Sequence, residues 1–142
     1  MIKRKPPKKA KTLEKEIQAY VDWKIKNEGW PCIRIPDALY KAVFRAGNNI
    51  PPHVGNIISQ YLTGLPDNIV CLGMGTRFFL GCSVENKSDV GKLHGKQKEW
   101  ARKLNTNLVR TRPEIDRILK QMEKLHALLE VEVIKFEEEN GP

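Results

Sequence analysis

Long apolar runs, paired cysteines and clustered histidines are all missing from this chain of 142 residues. No segment approaches the roughly 18 consecutive apolar residues that a bilayer-spanning helix needs, and no apolar stretch follows the basic N-terminal cluster as it does in a secretory signal. A soluble, cytoplasmic protein is therefore expected. Cys32, Cys71 and Cys82 form no Cys-x-x-Cys pair and are odd in number, which argues against a disulfide framework and predicts buried thiols. His53, His94 and His126 show no ligand spacing among themselves or with the cysteines, so no zinc centre is expected. Acid is missing from residues 1–11, where Lys3, Arg4, Lys5, Lys8, Lys9 and Lys11 stand unopposed.

What is present suffices for one folded unit. A hydrophobic content of 40% supports a core, and the length fits a single domain with an added arm or helix. The formal net charge is +8, most of it in residues 1–11. Such a Pro-containing basic arm buries nothing and can neutralise phosphates whatever the base sequence. As a solubilising tail it needs no partner. Glu137, Glu138 and Glu139 at the other end read as a solvated acidic terminus that repels nucleic acid.

Periodicity gives the elements. Thr12 can cap a first helix that continues from Lys15 to Glu28 and stops at Gly29, with Leu13, Ile17, Val21 and Lys24/Ile25 as its buried stripe. Glu14 borders that stripe and Glu16 points away from it. Cys32 to Ile35 predicts a strand, and Asp37 to Leu62 two short helical pieces broken at Gly47-Asn48-Asn49 and Pro51-Pro52. Asn68 to Leu72 and Arg77 to Lys87 predict a hairpin that turns at Gly73-Met74-Gly75-Thr76. On its second strand Phe78, Leu80, Cys82 and Val84 share one face, while Gly81, Ser83, Glu85 and Lys87 share the other. A helix from about His94 to Leu104 and a long helix from near Pro113 complete an α/β or α+β order.

Chemistry concentrates on that hairpin. Glu85 and Lys87 lie two apart on one strand face, and Asp67 opens the partner strand within Gly64-Leu65-Pro66-Asp67. Two hard carboxylates and a backbone carbonyl suit Mg²⁺, and Lys87 can orient an attacking water and offset phosphate charge. A second Pro-Asp, Pro36-Asp37, precedes the more helical Ala38-Leu39-Tyr40-Lys41, so the spacing selects Asp67.

The run Gly64-Leu65-Pro66-Asp67, a hairpin, Val84-Glu85-Asn86-Lys87, then Leu93 to Gln97 and Trp100, resembles the virus-type replication-repair nuclease domain of the PD-(D/E)xK nuclease superfamily. Leu13-Glu14-Lys15-Glu16-Ile17-Gln18 matches its opening helix, so the resemblance covers about residues 12 to 105. It implies an α/β fold with a restriction-endonuclease-like core: a small mixed β-sheet flanked by helices, followed here by a long C-terminal helix. By position it makes Asp67 and Glu85 metal ligands with the backbone carbonyl of Asn86. Lys87 becomes the catalytic lysine, Glu14 a helix-borne acid near the metal water, and Gln97 a polar partner. Asn86 replaces an apolar residue, His94-Gly95 stands where a better cap is expected, and the insert from Tyr40 to Leu62 is long.

The implied organisation is a basic arm over 1–11, a nuclease domain over 12–110 and a helix over 111–142 that can dimerise. The implied activity is Mg²⁺-dependent DNA endonuclease cleavage, with Mn²⁺ as substitute, on branched or four-way junction DNA in replication, recombination or repair. A homodimer in a bacterial or virus-infected cell is expected, since two-fold symmetry suits two equivalent cuts. Lys92 and Lys96, with the arm lysines and Arg4, are candidate DNA contacts, or a solvated face. Trp100 is read as helix-to-sheet core. In the last helix Ile115, Ile118, Met122, Leu125 and Leu129 step by three and four, as in a paired-helix contact. A non-catalytic DNA-binding accessory with a degenerate nuclease fold is the rival reading.

Overall fold

A computed structural model describes residues 13–141. Along the chain run α1 (Glu14–Asn27), β1 (Cys32–Ile33), α2 (Asp37–Ala46), α3 (Pro52–Ile57), β2 (Asn68–Met74), β3 (Phe78–Asn86), α4 (Lys96–Leu104), β4 (Asn107–Val109) and α5 (Arg112–Asn140). A 3₁₀ turn at Gly47–Asn49 and a π-helical turn at Ile58–Leu62 break up the stretch before β2. The sheet order is β1-β2-β3-β4. β1 and β2 pair antiparallel, as do β2 and β3, whereas β4 runs parallel to β3. The fold is thus mixed α/β, a four-stranded mixed sheet flanked by helices with a long helix at its end.

Alternation on the hairpin decides which face is covered. Val70 pairs with Cys82, Leu72 with Leu80 and Asn68 with Val84, and this face takes the helices α1 and α5. Ile17, Val21 and Ile25 of α1 meet Val70, Val84, Val109 and the α5 residues Ile115, Leu119 and Met122 in one core. Burying such side chains contributes about 1.5–3 kcal/mol each, which anchors the first three turns of α5 to the sheet. Farther along, Phe136 meets Phe78 edge-on, and the Glu137 carboxylate accepts the Thr76 N–H at 2.9 Å, the Arg77 N–H at 3.2 Å and the Thr76 hydroxyl at 2.9 Å. A helix end thereby satisfies the donors of the hairpin turn, and those donors hold the Glu137 carboxyl below the usual carboxylate range.

Several expectations change. Leu13 precedes α1 and is exposed. β1 keeps only two of its four expected residues, because Pro36 opens α2 so soon afterwards. β2 extends through Gly73 and Met74, so the turn is Gly75 to Arg77, with Gly75 at φ +59°. The thiols are not uniformly buried: Cys32 is exposed and Cys71 and Cys82 are partly covered. Leu119 joins Ile115 and Met122 in the α5 core row, with Ile118 only partly buried against it. Glu137 is a turn anchor rather than a free acid. β4 is an element the periodicity reading missed. Thr12 and the arm residues Lys3, Arg4, Lys5, Lys8 and Lys9 lie outside the described residues, among which no helix is long and apolar enough to cross a membrane.

Candidate active site

Register brings the acidic pair together. With Asn68 opposite Val84, Asp67 comes beside Glu85 at the open end of the hairpin. The two then interlock: the Asp67 N–H donates to Glu85 Oε2 at 3.1 Å, and the Asn86 N–H donates to Asp67 Oδ2 at 2.7 Å. On the far side of β3, the Lys87 N–H donates to the Val109 carbonyl at 3.0 Å, so β4 fixes the backbone that carries Lys87. In a trans peptide the carbonyl points opposite to the following N–H. The Asn86 carbonyl therefore points away from β4, toward the β2 side where Asp67 stands.

Helix α4 completes the cluster from above. Its Gln97 donates from Nε2 to Glu85 Oε1 at 3.2 Å and accepts at Oε1 from Lys87 Nζ at 3.3 Å and from the His94 N–H at 3.2 Å. Lys87 Nζ also lies 3.5 Å from Glu85 Oε1. Gly91 is close-packed on this lysine, since a Cβ there would stand 3.3 Å from Lys87 Cδ. Glu85 and Lys87 are accordingly only 4% and 6% exposed. Burial first, and the charge of Asp67 second, push the Glu85 carboxyl up to about 7, against the opposing pull of Lys87.

A cavity of about 220 Å³ opens beside these groups, lined by Ile35, Tyr40, Thr63, Gly64, Leu65, Pro66, Asp67, Glu85 and Gln97. The insert supplies one wall. The Tyr40 hydroxyl donates to the Leu62 carbonyl, and Gly64 at φ +82° presses on the start of α4. A Cβ at Gly64 would stand 2.7 Å from the Lys96 carbonyl carbon and 2.8 Å from the Gln97 nitrogen, so only glycine lets the wall and α4 approach this closely.

Five of the sequence-predicted residues therefore meet: Asp67, Glu85, Asn86, Lys87 and Gln97. Glu14 does not join them. It is exposed in the first turn of α1, lines no part of the cavity, and makes no hydrogen bond or ion pair among the described residues. Lys92 is exposed, and the Lys96 ammonium donates to the Ser59 carbonyl. Trp100 is not in the core; it lines an open groove beside α4. Tyr40 and Thr63 were missed as lining residues, because only tertiary folding of the insert brings them here. Among the described residues no group of three or more His, Cys, Asp or Glu side chains is arranged to hold a metal ion. The donor set at this site is two carboxylates and a peptide carbonyl. Compared with protein-family models, curated proteins and solved structures, the chain matches none.

Proposed function

We propose that the chain is a Mg²⁺-dependent DNA endonuclease with a restriction-endonuclease-like core, similar to the virus-type replication-repair nucleases of the PD-(D/E)xK superfamily. The observation that carries this reading is the interlocked set Asp67, Glu85, Lys87 and Gln97 at one end of the sheet. The buried Glu85 carboxyl, pushed to about 7 beside the half-buried Asp67, is one whose ionised form a divalent cation would favour. Asp67, Glu85 and the Asn86 carbonyl would hold that cation, with Mn²⁺ as a substitute for Mg²⁺. When bound, such a cation neutralises charge on the scissile phosphate and acidifies a coordinated water. Lys87 orients the attacking water and offsets the charge that develops on the phosphate. Gln97 ties the Lys87 ammonium to Glu85. In-line attack by water would then break the P–O3′ bond, leaving a 5′-phosphate and a 3′-hydroxyl.

Branched DNA, and a four-way junction in particular, is the substrate proposed, acted on by a homodimer whose two-fold axis matches two equivalent cuts. The exposed apolar half of α5, with Leu125, Leu128 and Val131, is where a second copy would pair. The test compares a labelled four-way junction with a matched linear duplex, in Mg²⁺ or Mn²⁺ against EDTA, for wild type and Lys87→Ala. Metal-dependent cutting lost in Lys87→Ala supports the nuclease, and preference for the junction supports the substrate. Tight DNA binding with no cutting under either metal overturns it in favour of the non-catalytic accessory.

A further inference from the structure

Trp100 and the groove it lines have no part in the cluster described above. The groove, about 520 Å³, lies between the Asn56, Ser59 and Gln60 side of the insert and the Lys96, Glu99, Trp100 and Lys103 side of α4. It borders the candidate active site through α4, whose next residue after Lys96 is Gln97. Its chemistry is that of a strand channel. On the groove side α4 presents Lys96, whose ammonium donates to the Ser59 carbonyl, and Lys103, which pairs with Glu99 at 3.3 Å, while Lys98 and Arg102 are exposed on α4 outside the groove lining. Lys103 Nζ also stands over the Trp100 ring, 5.5 Å from its centroid. A phosphate drawn to this ammonium brings its base toward the indole, while Asn56 and Gln60 offer amides on the opposite wall. Basic side chains beside an aromatic platform are how proteins hold single strands without reading sequence.

The recess of Glu85 points the same way. At 4% exposure it stands behind a wall formed by Tyr40 and Thr63 to Pro66. A duplex presents its phosphates on a stiff, convex rod, whereas an unpaired strand rotates freely about its backbone and bends into a recess more readily. We infer that the groove between the insert and α4 takes an unpaired nucleic-acid strand with a base stacked on Trp100, beside the helix that carries Gln97 to Glu85. The inference rests on the nuclease reading for its chemistry, and among branched substrates it favours those that carry an unpaired flap over the fully paired four-way junction.

The test is binding of the full chain in EDTA, where no cutting interferes. Fluorescein-labelled oligo-dT and oligo-U 15-mers are compared with a hairpin duplex of equal length by anisotropy at one salt concentration. The arm is present throughout, so its contribution is common to wild type and variants. Both single strands should bind at least about tenfold more tightly than the duplex. Trp100→Ala should weaken single-strand binding by about 5- to 100-fold, the range for loss of one base–aromatic stack, and leave the duplex affinity unchanged. Trp100→Phe, which keeps a ring, should retain most of it. Should Trp100→Ala fail to fold, photocrosslinking of bromodeoxyuridine-substituted oligo-dT to wild type should label residues 96–103 or 56–60. A duplex that binds as tightly as the single strands, an unchanged Trp100→Ala, or crosslinks elsewhere overturns the inference. Trp100-dependent strand binding without metal-dependent cutting of any substrate would instead sink the nuclease reading and leave the strand channel standing.

Discussion

The buried Glu85 carboxyl makes the metal-free protein lose stability as pH rises. Its folded-state pKa is about 7 against an ordinary value of 4.5, so the folded chain holds a proton that the unfolded chain has released. Below pH 4.5 both states are protonated and the contribution is fully present. Between 4.5 and 7 it falls away, and above 7 it is gone. A displacement of this size corresponds to about 3 kcal/mol, which for a domain of this length is on the order of 10 °C in Tm. Thermal unfolding in EDTA from pH 4.5 to 8, followed by circular dichroism, measures it. The diagnostic quantity is the difference between wild type and Glu85→Gln. The variant should be flatter across this window. Mg²⁺ should recover stability at pH 8 and do little at pH 5, because it favours the ionised carboxylate. A wild type that is equally stable at pH 5 and 8 in EDTA, or a Glu85→Gln profile that parallels it, refutes the reasoning.

Three other outcomes follow from single contacts. Asn86 is fully buried, and neither atom of its side-chain amide has a partner among the described residues, so Asn86→Val should raise stability by about 1–3 kcal/mol. Because the backbone carbonyl remains, cleavage should survive, and a lowered Tm would show that the amide is bonded after all. Gly64→Ala places a methyl against the start of α4 at a left-handed φ, and should cost roughly 1–3 kcal/mol while displacing Gln97, read as a lower Tm together with slower cleavage. Glu137→Gln weakens the grip on the hairpin turn, so hydrogen exchange at the Thr76 and Arg77 amides should speed up while the α1 amides hold their rates.

The hairpin and its two faces were legible in the sequence because alternation is a local signal, and Val84 against Glu85 and Lys87 leaves one register open. The same alternation brings Asp67 to Glu85 once the turn is placed within a residue or two. Glu14 was taken from the family resemblance, and helical phase only preferred it to Glu16. Phase says which way a side chain leaves its helix, and says nothing of how far that helix end lies from the hairpin. β4 is three residues long, and Asn107 gives it a polar start, so its pairing with β3 is a tertiary event without a periodic trace. Trp100 was assigned to the core on average behaviour, whereas the insert leaves a groove over it. Glu137 looked like any acid in an acidic run, since its turn donors lie 60 and 61 residues earlier.

Helix α5 also gives the molecule an electrical direction. Its 29 residues span about 44 Å. It leaves the sheet where Arg110 Nη1 donates to the Ser88 carbonyl, just past Lys87, and finishes at the hairpin turn at the opposite end of β3. Arg110, Arg112 and the positive end of the helix dipole therefore stand near the site, and Glu137, Glu138 and Glu139 stand a sheet's length away. A polyanion approaching in solution meets a torque as well as an attraction, turning the acidic end outward before contact. The productive encounter rate should accordingly fall with added salt more steeply than the attraction of the net charge alone requires.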